Sequence, residues 1–105
     1  MFASNFIVRD EHLKHLRGQS NLRKFENETT PMSGKRMTNY FCETCGTLMY
    51  RVGEKFPEQS ILRIGTVDDF SLMEGALKPQ WELFTKDRLS WVGEVPGAKK
   101  REAQL

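Results

Sequence analysis

Phe41-Cys42-Glu43-Thr44-Cys45-Gly46-Thr47-Leu48-Met49-Tyr50 is the stretch on which the reading of this chain turns. Its two cysteines are the only ones in 105 residues. The C-x-x-C spacing lets both sulfurs face one metal ion, and the following glycine lets the backbone fold tightly beneath them. Thr47 to Val52 then reads as a strand, which gives the outline of a zinc knuckle. A tetrahedral structural zinc takes four ligands. Two cysteines supply half of them.

Working outward, Met37 to Phe41 reads as the strand entering the turn. Ser60 to Val67 (Ser60-Ile61-Leu62-Arg63-Ile64-Gly65-Thr66-Val67) is the strongest strand pattern, rich in β-branched and apolar residues, and Asp68-Asp69 closes it. Phe6-Ile7-Val8 gives a strand-like run near the start. Asp10 to Arg17 fits either one or two helical turns or a short strand, ended by Gly18. Ser20 to Phe25 reads as a turn leading into a strand, and Asn27 to Lys35 as a loop by composition. Trp81 to Phe84 is a further short strand. The expected core is Phe41, Tyr50, Ile61, Leu62, Ile64, Val67, Leu83, Phe84 and Trp91.

The bulk properties bound the function. One small domain is expected from 105 residues, with 38% hydrophobic and 29% charged side chains. No run approaches the roughly 18 apolar residues of a membrane span. Met1 to Val8 lacks the pattern of a secretory signal. Two cysteines so close together do not staple a secreted scaffold, so a reducing compartment is expected, cytoplasmic or nuclear. A formal charge of +2 is too small for a nucleic-acid footprint, and Lys99-Lys100-Arg101 reads as a solvated basic tail.

Four chemistries compete at Cys42 and Cys45. A redox pair of the thioredoxin kind sits where a strand meets a helix N-terminus, and it requires a depressed thiol pKa. A disulfide suits an oxidising compartment. A metal site completed by His12 and His15, the only histidines and spaced H-x-x-H, would be an accepted two-cysteine, two-histidine set. Against it, both histidines sit on a charged segment with Asp10, Glu11, Lys14 and Arg17. The fourth reading is a half-site, whose two cysteines either meet a partner's thiols or persist from an ancestor whose other ligands have been lost. Asp68 and Asp69 form a carboxylate pair, but strand neighbours point to opposite faces, so a turn role is the simpler reading.

Three ordered segments carry a family resemblance. Phe41 to Tyr50 resembles the F-C-x-x-C-G-x-x-x-[YF] segment of the glutathione-dependent formaldehyde-activating enzymes and their relative, centromere protein V. Gly65-Thr66-Val67-Asp68-Asp69 is similar to that family's G-[ST]-[LV]-D-[DN] strand end. Pro79 with Glu82-Leu83-Phe84, and then Ser90-Trp91-Val92, is similar to its closing pattern. The resemblance covers about residues 2 to 95. It implies a mainly β fold, a small β-tent of short antiparallel sheets with a zinc knuckle. On this reading residues 1–95 form a partial domain of that type, N-terminally truncated, and 96–105 a disordered basic tail.

The resemblance further implies carbon–sulfur lyase chemistry on a glutathione adduct and a zinc cofactor. Of the four cysteines that hold the family's structural zinc, Cys42 and Cys45 match two. The N-terminal cysteine clusters, including the one associated with catalysis, have no counterpart here, and Glu82 stands where many members have a histidine. No catalytic residue therefore carries over. Two functions are expected from different classes: a lyase that is weak or inactive as this chain, or a non-catalytic zinc-knuckle module for binding or dimerisation. The partners implied are a glutathione-type thiol adduct and a second copy meeting an exposed sheet edge. No membrane partner is expected.

Overall fold

The computed structural model describes residues 2–28 and 34–103. The fold is mainly β, with no α-helix among the described residues. Five strands form one antiparallel sheet: β1 (Asn5–Arg9), β2 (Leu22–Asn27), β3 (Met37–Cys42), β4 (Leu48–Gly53) and β5 (Gln59–Arg63). Their spatial order is β1-β5-β4-β3-β2. The three strands β3, β4 and β5 are joined by short turns. β1 closes one edge on β5 across more than fifty residues of sequence, with Ile7 opposite Ile61. β2 forms the other edge on β3.

The register fixes what each face of the sheet carries. Phe25, Asn39, Arg51, Ile61 and Ile7 stand opposite one another in a row across all five strands. The neighbouring row, on the other face, is Lys24, Tyr40, Tyr50, Leu62 and Phe6. Tyr40 and Tyr50 stack there with ring centroids 4.7 Å apart. A register shift between Tyr40 and Phe41 marks a bulge just before the two-cysteine turn. Bulges re-aim a strand end, and here the shift falls where β3 and β4 meet the turn.

The expected long strand from Ser60 to Val67 ends earlier. β5 stops at Arg63 and Ile64–Thr66 is a 3-10 turn. The Thr66 hydroxyl donates to the Arg63 carbonyl at 2.8 Å, which closes that turn in place of a ladder bond. Asp69 caps the next turn, Phe70–Glu74, accepting from the Ser71 N–H at 3.0 Å and its hydroxyl at 2.6 Å. Of the segment Asp10 to Arg17, Asp10–His12 forms one helical turn, of the 3-10 kind, and the remainder is irregular. The loop expected over 27–35 falls largely outside the described residues, and Asn27 belongs to β2.

The core is thin. Ile64, 4% exposed, is the one buried apolar side chain among the described residues, and Ser60 on β5 is buried as well. Leu83, Phe84 and Trp91, expected in the core, are exposed, Trp91 by 70%. The chain after Pro79 forms a separate two-stranded sheet, apart from the five-stranded one. That sheet pairs β6 (Trp81–Glu82) in parallel with β7 (Lys99–Lys100). Among the described residues of 96–105, read from sequence as a disordered tail, the backbone is thus bonded. Lys99 donates to the Gln80 carbonyl at 2.8 Å and Arg101 to Glu82 at 2.9 Å. The cations of Lys99 and Arg101 each lie 5.3 Å from the Trp81 ring, a contact the charge count alone does not reveal.

Candidate functional site

The turn between β3 and β4 is built from its backbone outward. Gly46 takes a left-handed conformation, φ +76°, and its N–H donates to the Cys42 carbonyl at 2.8 Å. The Cys42 N–H donates to the Thr47 carbonyl at 2.9 Å. A side chain at position 46 would hold that conformation under strain, which is why glycine follows the second cysteine. Both cysteines are free thiols, Cys42 half-buried and Cys45 exposed.

A second loop braces the turn from outside. The Glu43 N–H donates to the Asn21 carbonyl at 2.9 Å. The Asn21 side-chain amide lies 3.4 Å from the Cys42 sulfur and donates to the Thr44 hydroxyl at 3.0 Å. Arg23 pairs with Glu43 at 2.9 Å. The Cys45 sulfur lies 3.1 Å from the Thr47 hydroxyl. Hydrogen bonding from Thr47, first by its side chain and then its backbone, with a further contribution from Cys42, holds the Cys45 thiol below its ordinary pKa. Asn21 and Thr47 were not legible as site residues: Asn21 lies in no motif, and Thr47 occupies a variable position of the C-x-x-C-G pattern.

The depressed thiol is what a redox pair needs, but the cause differs. No helix N-terminus follows Cys45; β4 does. A thiol poised toward the thiolate equally suits a metal ligand, which binds in that form.

The histidines are elsewhere engaged. His15 Nε2 lies 3.0 Å from the Tyr50 hydroxyl, against whose ring it packs edge-on, and His12 Nε2 is 3.8 Å from Glu11. Burial, with smaller effects from Tyr40 and Asp10, pushes the Tyr50 hydroxyl above its ordinary pKa, so it stays protonated at neutral pH. Among the described residues no group of three or more His, Cys, Asp or Glu side chains is placed to hold a metal. The set of His12, His15, Cys42 and Cys45 is therefore not assembled. Zinc thus does not fit this single chain as a complete site: four donors are needed and the turn offers two.

Glu82 has a structural partner. Its carboxylate lies 2.9 Å from Arg88, with both side chains largely buried, and Arg88 also reaches Glu94 at 3.4 Å. Asp68 and Asp69 form no joint site, since Asp69 is used as a cap.

A small mainly β domain with a braced pair of thiols on a β-turn is the class these features define. The sequence matches the family model described as glutathione-dependent formaldehyde-activating enzyme over residues 1–87. The chain belongs to that family. The match spans the whole five-stranded sheet and both cysteines and ends short of Trp91. No curated protein and no solved structure matches the chain. Among the described residues, no helix is long and apolar enough to cross a membrane.

Proposed function

We propose that this chain serves carbon–sulfur bond chemistry on a glutathione adduct, with Cys42 and Cys45 as half of a structural zinc site and not as catalytic groups. The observation that supports this reading is the family match across residues 1–87, which includes both thiols. The braced turn agrees with it: Asn21, Arg23 and Thr47 fix the thiols in place, as a ligand pair requires. Because one chain supplies two of four donors, its turnover as a monomer is expected to be weak. The test is exchange spectroscopy of glutathione with formaldehyde in the presence of the zinc-loaded protein. Exchange above the spontaneous rate, reduced by Cys42→Ser, supports the reading. An unchanged rate together with no binding of a glutathione thioether overturns it.

A second reading is a non-catalytic module in which two copies complete one zinc with four thiolates. The specific observation in its favour is unmet surface. The chain exposes 8179 Å². A compact monomer of 12.2 kDa exposes about 6,100 Å².

A further inference from the structure

The sheet face opposite the Tyr40–Tyr50 stack carries a feature that neither thiol chemistry nor the core uses. Arg51 on β4 stands opposite Ile61 on β5, and Arg63 lies two residues further along β5. The two guanidinium-bearing residues are thus diagonal neighbours on one face, with backbones about 7–8 Å apart. Each is aimed by an asparagine on its other side. Arg51 Nε donates to the Asn39 side-chain oxygen at 2.8 Å, and Arg63 Nη1 to that of Asn5 at 2.8 Å. Among the described residues, neither has a carboxylate within ion-pair distance, whereas Arg9, Arg23 and Arg88 all do.

The arrangement has an electrostatic cost. Both arginines are half-buried. Burial, and then the neighbouring Arg63, disfavour the charge on Arg51. Two like charges on one face, oriented by neutral amides and, among the described residues, without a carboxylate at ion-pair distance, are arranged to receive an anion. Guanidinium forks match carboxylates two bonds at a time, which lysine does not. Arg63 also lines an open cavity of about 420 Å³ beside Ala3, Ser4, Ile64, Met73 and Leu77, within the usual size of small-ligand sites. Arg63 thus belongs both to the arginine pair and to the cavity's lining.

We propose that Arg51 and Arg63 form a carboxylate-binding fork that takes a carboxylate of the thiol adduct, with the adjoining cavity receiving the peptide arm. This rests on the reading of the substrate as a glutathione adduct, which carries two carboxylates. The test titrates the intact protein with S-methylglutathione, a thioether that mimics the adduct without reacting. Binding is expected to weaken about tenfold in Arg51→Gln and in Arg63→Gln, less in Arg63→Lys, and not at all in Arg9→Gln. The dimethyl ester of the same thioether is expected not to bind. In the unaltered protein, the Nε–H signals of Arg51 and Arg63 are expected to shift on titration, a readout independent of how the variants fold. Affinity unchanged in the glutamine variants, or arginine signals that stay still while the thioether binds, would overturn the fork and leave the substrate reading standing. If the thioether does not bind but glutarate binds and shifts both arginine signals, the substrate reading fails and the fork stands. If neither binds, the fork is overturned.

Discussion

At Cys45 a single hydroxyl changes the chemistry of an exposed thiol. Thr47 holds the Cys45 thiol below its ordinary pKa, and the thiolate is the reactive form. Cys45 should therefore be alkylated by iodoacetamide faster than Cys42 at neutral pH. The midpoint of its pH–rate profile should fall below that of an ordinary free thiol. Thr47→Val should raise that midpoint, as read by mass spectrometry of the two labelled peptides. The stability linkage has the matching sign. A folded-state pKa below the unfolded one stabilises the fold above the unfolded value, and that contribution is lost as pH falls through the folded value. The residue after it is as constrained: Gly46 at φ +76° closes the turn onto Cys42. Gly46→Ala should cost about 1–2 kcal/mol in denaturant unfolding.

At the scale of elements, Glu82 on β6 pairs with Arg88, and their side chains are 13% and 21% exposed. Glu82→Ala should lower stability by about 1–3 kcal/mol, because it leaves a largely buried guanidinium with the exposed Glu94 as its carboxylate partner. A double-mutant cycle with Arg88→Ala should recover much of that loss if the pair acts as a unit. Much of this level was legible in sequence. The strands flanking the cysteines, read as Met37 to Phe41 and Thr47 to Val52, are Met37–Cys42 and Leu48–Gly53. Local alternation and the turn glycine sufficed there. The strand of Ser60 to Val67 was read too long because side-chain capping by Thr66 competes with the ladder, and composition does not show that. β7 was missed because Lys99 is held by Trp81 and by a backbone bond to Gln80, in a distant segment. The pairing of β1 with β5 is likewise non-local, so only the strand and not its neighbour was readable. At the site, the cysteines announced themselves by spacing, whereas Asn21 and the Arg51–Arg63 pair become visible only once the register is known.

For the whole molecule the governing fact is how little is enclosed. One apolar side chain is buried among the described residues, and the radius of gyration is 14.7 Å where about 13 Å is usual for this length. Ile64→Ala should accordingly cost about 2–4 kcal/mol, a large share of a small domain's stability. The surplus of exposed surface, about 2,000 Å² per chain, exceeds the roughly 800 Å² that each partner buries in a stable pair of standard size. Two modes of pairing exclude each other. Joining two β2 edges with Phe25 against its symmetry mate sets Lys24 opposite Glu26. It also leaves the two cysteine turns about 20 Å apart, six strand rises along. A shared zinc instead brings the turns together, with each sulfur about 2.3 Å from the metal. The central claim, that Cys42 and Cys45 are half of a metal site, is tested most directly by zinc content per chain together with native mass, on protein purified without chelators. The account predicts one zinc per two chains in a dimer, with Cys42→Ser losing both metal and dimer. One zinc held by a monomer, or no zinc at all, would contradict it.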